Sequence, residues 1–116
     1  MIDDKAQELG RLIGQAPEYQ ALRRAEQALR EDGDAQRRLE TISRLTREFD
    51  QMMVQGQSPD EAKAQEYETT LHEFELSPVG QGYLVARANL DKLMTKVNQV
   101  IADGMERGAV SGIITL

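Results

Sequence analysis

Apolar residues recur every three or four positions along most of the chain, and prolines and glycines interrupt this spacing at only a few places. Such spacing puts apolar side chains on one face of an α-helix, whereas a half-buried strand alternates apolar and polar residues. No segment combines that alternation with the turn residues of a hairpin. The sequence therefore predicts an all-α fold, and 116 residues are enough for one domain, 1–116.

Helix start and stop signals divide the chain into about five predicted helices. The first covers about residues 3–14. The second begins at Pro17, a residue suited to the first helical position, and is expected to end at Gly33 in a left-handed conformation. The third is expected to take Asp34 as its N-cap and to run to about Gln55.

The last two helices each begin at a serine followed by a proline. Ser58, Pro59 and Glu61 form the pattern of a capping box, which predicts that the fourth helix begins at residue 58 or 59. Ser77 and Pro78 mark the start of the fifth. Because the connection before Ser58 is short, helices three and four are expected to form an antiparallel hairpin.

The fifth helix is predicted to be the longest and to carry apolar residues on more than one side. At ~28 residues it would be roughly 42 Å long, more than one small domain covers, so a homo-oligomer (dimer or tetramer) is expected. Gly80 and Gly82 indicate close helix approach or a bend, and residues 105–116 are expected either to fray or to dock on another subunit. The candidate oligomer-interface residues are Leu90, Leu93, Met94, Val97, Val100 and Ile101.

Composition excludes several classes of function. The net charge is −6, which opposes direct nucleic-acid binding, and there is no cysteine to act as a nucleophile or metal ligand. The arginines of the third helix are expected to pair with acids on the same helix, as Arg44 can with Glu40 and Glu48. We therefore expect no enzymatic activity, no catalytic residue and no cofactor.

Two groups of exposed residues are candidates for a partner surface. Met52 and Met53 could form a soft apolar contact, or fill gaps in the core. Glu68, His72 and Glu75 share one face of the acidic fourth helix, which is either a solvated face or a docking surface for a basic partner. The same three side chains could ligate a metal, but with one imidazole in the chain we expect no bound metal.

No run of apolar residues is long enough to span a membrane or to act as a signal peptide. The protein is expected to be cytoplasmic and to have no contact with a membrane.

Several segments resemble the YlbF/YmcA-type regulator family, which includes the YheA-like proteins. The resemblance extends over about residues 2–108. The segments that carry it are Ala-Gln-Glu-Leu-Gly at 6–10, Tyr-Gln-Ala-Leu at 19–22, Glu-Phe-Asp-Gln-Met at 48–52, Ser-Pro-Val at 77–79 and Leu-Asp-Lys-Leu-Met at 90–94.

This resemblance implies a multihelical, cytosolic, non-enzymatic bacterial protein that forms homo-oligomers. It also implies a regulator of competence, sporulation and biofilm development that assembles with sister regulators and assists endoribonuclease Y, a ribonuclease. Some relatives hold iron–sulfur clusters through cysteines, which this chain lacks. The alternative is a YheA-like structural or assembly-factor homo-oligomer.

Overall fold

The computed structural model describes the backbone of residues 1–115 and the side chains of residues 1–110. Over residues 1–115 the chain forms helices joined by short connections, and no strand is present. The predicted all-α fold and the five helices are confirmed. The helices are α1 (Ile2–Gln15), α2 (Pro17–Arg30), α3 (Gly33–Val54), α4 (Glu61–Leu76) and α5 (Pro78–Thr115).

Helices α3 and α4 form the expected antiparallel hairpin. Three ion pairs join them, and their order shows the direction of the two helices: Glu48 contacts Lys63, Arg44 contacts Glu66, and Arg38 contacts Glu73. As the residue number falls along α3 it rises along α4, which is the register of an antiparallel pair.

The buried core lies where the ends of four helices meet. Leu29 at the end of α2, Ala35 at the start of α3 and Phe74 near the end of α4 are buried together. The half-buried apolar side chains packed around them are Leu39, Ile42, Val79, Tyr83 and Leu84. From this junction the α3–α4 hairpin extends as one arm, and α2 packs along α5 in the other.

The corner between α4 and α5 is closed by Phe74, Ser77 and Gly80. The Ser77 hydroxyl donates to the Phe74 carbonyl at 3.1 Å and accepts from the Gly80 amide at 3.0 Å, so Ser77 caps α5 as predicted. Gly80 is buried, and a Cβ there would overlap the carbonyl oxygen of Phe74. Gly80 therefore serves the close approach of two helices, whereas no atom lies within 4 Å of the corresponding position at Gly82.

The two glycines allow a matched test of this corner. Gly80→Ala should lower the free energy of unfolding by about 1–3 kcal/mol, because the methyl group forces the backbone of α4 away from α5. Gly82→Ala should leave stability unchanged or raise it by up to about 1 kcal/mol, since alanine is the better helix former. Urea denaturation followed by circular dichroism measures both, and equal effects would contradict the close contact at Gly80.

Two predicted helix starts are wrong. The N-cap of α3 is Asp32 rather than Asp34: its carboxylate accepts from the amide of Ala35 at 3.1 Å. Ala35 is fully buried, so its amide needs a protein partner, and Asp32 is positioned to supply one. Gly33 consequently lies inside α3, and the glycine with positive φ in residues 1–115 is Gly56, at 72°.

The capping box at Ser58 does not form, and α4 begins at Glu61. Asp60 is its N-cap and accepts from the amide of Ala62 at 3.4 Å. A charged carboxylate interacts more favourably than a neutral hydroxyl with the positive end of a helix, which favours the later start.

The corrected caps predict different responses to two substitutions. Asp32→Ala should destabilise the protein by about 1 kcal/mol, because the Ala35 amide loses its acceptor. Ser58→Ala should change the unfolding free energy by less than about 0.5 kcal/mol, the usual range for an exposed residue without a partner. Thermal unfolding of the two variants checks this. A larger loss of unfolding free energy in the Ser58 variant would show that the capping box does form.

Helix α5 is longer than the sequence predicts, and the molecule is correspondingly extended. The helix has 38 residues and continues through Gly104 and Gly108 as far as Thr115. Docking of residues 105–116 would use the apolar side chains of Ile113, Ile114 and Leu116, which lie outside the described residues. The radius of gyration is 19.8 Å, against about 13 Å for a compact domain of this length.

The extended shape leaves an unusually large surface open. The accessible area is 8964 Å², whereas a compact monomer of 13.0 kDa exposes about 6,300 Å². The molecule measures 62 × 38 × 19 Å, so it is little more than two helices thick. A single chain therefore leaves helix faces that its own elements do not cover.

Candidate protein interaction surface

The predicted oligomer-interface residues of α5 fall into two groups. Leu90, Leu93, Met94 and Val97 are half-buried, because other helices of the same chain partly cover them. Val100 and Ile101 are 60% and 45% exposed. Beyond Ile101 every described residue of α5 is exposed, including Met105 and Val110. The described apolar side chains in the distal half of α5, from Val100 onwards, are therefore the ones that no other helix of the chain covers.

Helix α1 lies beside this part of α5 and forms a shallow groove with it. One end of the groove, of about 230 Å³, is lined by Leu9 of α1 and by residues of α5. The other end, of about 490 Å³, shares Leu9 and Ile101 with the first, so the two are continuous. We call this surface the α1/α5 groove. Its lining residues are Met1, Ile2, Lys5, Ala6, Leu9, Leu93, Lys96, Val97, Val100 and Ile101.

The contribution of α1 to this surface was missed in the sequence. Met1 and Ile2 are 98% and 83% exposed although both are large and apolar. Ile2 continues the helical stripe of Ala6 and Leu9, because it lies four residues before Ala6. That spacing is a signal for this surface, but a first helix predicted to begin after Ile2 leaves Ile2 outside the stripe.

A second shallow groove, of about 670 Å³, lies between α2 and the first turns of α5. Small residues form its floor, among them Ala21, Ala25 and Gly82, with Val85 55% exposed beside them. This groove is not predictable from the sequence either, because small residues on two helices become a groove only once the helices pack together.

The partner-surface candidates lie at different levels of the α3–α4 hairpin. Met53 is 75% exposed at the end of α3, next to the connection, and Met52 is half-buried. Glu68, His72 and Glu75 are exposed along α4, towards the core junction. The structure does not bring the methionines and the acidic face together into one surface.

The charges of the hairpin are arranged differently from the expectation. Arg44 pairs with Glu66 across the hairpin at 3.4 Å rather than with an acid of its own helix, and Arg38 pairs with Glu73 at 3.4 Å. Arg37 makes the one local pair of α3 within the described residues, with Asp34. Exposed pairs of this kind each contribute about 0–1 kcal/mol, so they set the register of the hairpin more than its stability.

Within the described residues, the side chains that could ligate a metal lie apart from one another. In the part of the chain that the structure describes, no three His, Asp or Glu side chains come together as a cation site. A hydrogen bond to the Tyr83 hydroxyl raises the pKa of Arg87, which leaves this side chain cationic. Each helix of the described chain is too short or too polar to cross a lipid bilayer.

These features define an all-helical domain whose distinguishing surface is a set of uncovered helix faces. The chain belongs to the YlbF/YmcA family, described as controlling the competence regulator ComK, and the family model matches residues 2–106. The predicted family is confirmed. A comparison with curated proteins finds no significant match.

The fold is also that of a solved structure. RicA from Bacillus subtilis, crystallised in complex with RicF, superposes with a TM-score of 0.68. The two sequences are 18% identical, and the alignment covers 93% of this chain and 96% of RicA. The similarity extends over essentially the whole of both chains, so the two share one fold.

Proposed function

We propose that this chain is a non-enzymatic, cytoplasmic regulatory protein that acts by assembling with other proteins through its helix faces. The observation that carries the proposal is the large accessible surface, 8964 Å² in a chain of 13.0 kDa, with exposed apolar side chains on α1 and on the distal half of α5. Membership of a family that controls a competence regulator supports a regulatory role. The RicA fold supports assembly, since RicA itself was crystallised in a complex.

The chemistry of the α1/α5 groove supports a protein partner. Except for Lys5 and Lys96, all of its lining residues are aliphatic or methionine. A surface of this kind recognises another apolar helix face by shape and burial. Such a partner could be a second copy of the chain, a sister regulator of the same fold or, as the family resemblance implies, a ribonuclease.

A capture experiment with a matched control tests the regulatory role. Tagged protein should retain a sister regulator or a ribonuclease from its native cells in stoichiometric amount. Ile101→Asp should abolish this capture, because it places a charge in the groove, whereas Arg47→Glu on the exposed face of α3 should not. Capture of neither partner by the unmodified protein, or capture unaffected by Ile101→Asp, would contradict the proposal.

The extended shape favours a second candidate, a structural homo-oligomer without a regulatory partner. Both candidates share self-association, and they differ in whether another protein is bound. In a structural homo-oligomer the protein would assemble with itself, and the capture experiment would return the chain alone.

Self-association has its own test. Met105 is 69% exposed in a single chain, so Met105→Asp should leave the helical content unchanged while it dissociates the homo-oligomer. Val97→Asp should also lower stability by several kcal/mol, because Val97 is already half-buried and the new charge has no partner. Light scattering coupled to size exclusion measures the mass. A 13 kDa particle at micromolar concentration for the unmodified protein would exclude self-association.

A further inference from the structure

One side of α5 carries a row of polar residues whose charge reverses halfway along it. The row is spaced alternately by four and three positions, which keeps its members in line along a helix that packs against another helix. Two lysines precede the central glutamine and two acids follow it. We call this the charge-reversal row, and its members are Lys92, Lys96, Gln99, Asp103 and Glu106.

The row is not satisfied within one chain. All five side chains are exposed, and none takes part in an ion pair among the described residues. Within the row, Lys92 and Lys96 are four residues apart, and Asp103 and Glu106 are three apart. The nearest charged member of the row therefore has the same charge in each case. Like charges at these spacings destabilise an isolated helix. Arg107 lies four residues after Asp103, but the two do not pair in the structure.

The row runs directly beside the apolar side of the α1/α5 groove. Each of its first three members is followed in sequence by an apolar residue that lines the groove, namely Leu93, Val97 and Val100. Lys96 itself lines the same groove. An occupant of the groove therefore lies against the row.

We propose that the occupant is the α5 helix of a second copy of this chain, antiparallel to the first, with a two-fold axis beside Gln99. This arrangement places Lys96 opposite the partner's Asp103 and Lys92 opposite the partner's Glu106. It also places Val97 near the partner's Ile101. A parallel pairing in register would instead place lysine against lysine and acid against acid. The row is thus complementary to itself in one direction only.

The uncovered area is sufficient for such a pairing. The chain exposes about 2,600 Å² more than a compact monomer of its size. A stable interface of standard size buries about 800 Å² on each partner. The two-fold symmetry also uses each contacting residue of α5 twice, which is how a dimer closes without leaving a free surface for a third copy. The inference deepens the proposed function and rests on the self-association included in it.

Exchange of charges tests the pairing. Lys96→Glu and Asp103→Lys should each raise the dimer dissociation constant about tenfold, because each replaces two symmetric attractions with repulsions. The double variant Lys96→Glu/Asp103→Lys should regain the affinity of the unmodified protein. Sedimentation equilibrium measures the constants, and circular dichroism checks that the helices persist. Arg47→Glu/Asp50→Lys makes the same exchange on exposed residues of α3 and should have no effect.

Cross-linking tests the direction independently of affinity. The chain has no cysteine, so single ones can be introduced without background. A mixture of Lys96→Cys and Asp103→Cys proteins should form a mixed dimer with a short bis-maleimide reagent, whereas either variant alone should stay largely uncrosslinked. The mixture of Arg47→Cys and Asp50→Cys should give no dimer.

The outcomes separate this inference from the proposed function. A dimer whose double charge variant is not restored, or a Lys96→Cys protein that cross-links efficiently to itself, would overturn the antiparallel pairing and leave self-association standing. An unmodified protein that is monomeric at micromolar concentration would overturn both the pairing and self-association. Loss of affinity in the single variants with full recovery in the double variant, together with mixed cross-linking, establishes the pairing.

Discussion

The contact between α4 and α5 at Phe74 and Gly80 determines the rest of the architecture. Phe74 is fully buried, its ring meets Tyr83 edge-on at 6.3 Å between centroids, and its carbonyl lies where a side chain of residue 80 would be. Because the ends of α2 and α3 pack against the same cluster, this junction sets the angle between the two arms. The arms themselves are thin and bury little, so a shift at the junction would move every surface that lies further out.

Away from that junction each helix packs mainly against one other helix, α3 against α4 and α2 against α5. Phe49 and Tyr67 pack edge-on at 5.7 Å between ring centroids, and Leu45 is buried nearby in α3, so the hairpin has an apolar seam of its own. The ion pairs along its sides fix the register between α3 and α4. The distal part of α5 has no comparable support from within the chain, and its described apolar side chains beyond residue 99 are all exposed. The fold therefore combines a centre that is packed within one chain with a helix whose distal apolar side chains stay exposed in a single copy.

Much of the fold was predictable because its signals are local. Pro17 and Pro78 fixed two helix starts, and the short connection after α3 required an antiparallel hairpin. The caps at Asp32 and Asp60 were missed because each lies two residues from another good capping residue. At Asp32 the choice depends on the burial of the Ala35 amide, and at Asp60 on the charge of the carboxylate. The sequence predicts a shorter α5 because residues 105–116 are rich in glycine, which favours fraying, although a glycine costs only about 1 kcal/mol inside a helix.

Less of the candidate site was predictable from the sequence. The apolar stripe of α5 was found, since it is a property of one helix, but its division into covered and uncovered halves depends on where α1 and α2 pack. The ion pairs of Arg38 and Arg44 were assigned to the wrong partners for the same reason: the register between two helices must be known before a charge on one can be matched with a charge on the other. Groove-forming residues such as Ile2 and Ala25 are unremarkable until their helices are placed.

An α5 helix that lacks cover in a single copy has a consequence for the amount of protein that a cell retains. A helical segment with few buried contacts opens locally at a small cost in free energy, and proteases cut chains in such opened states. Docking of the segment on another chain suppresses the opening. Copies that have not found a partner would then be degraded first, so the level of this protein would follow the supply of what it binds, without any dedicated control of its synthesis.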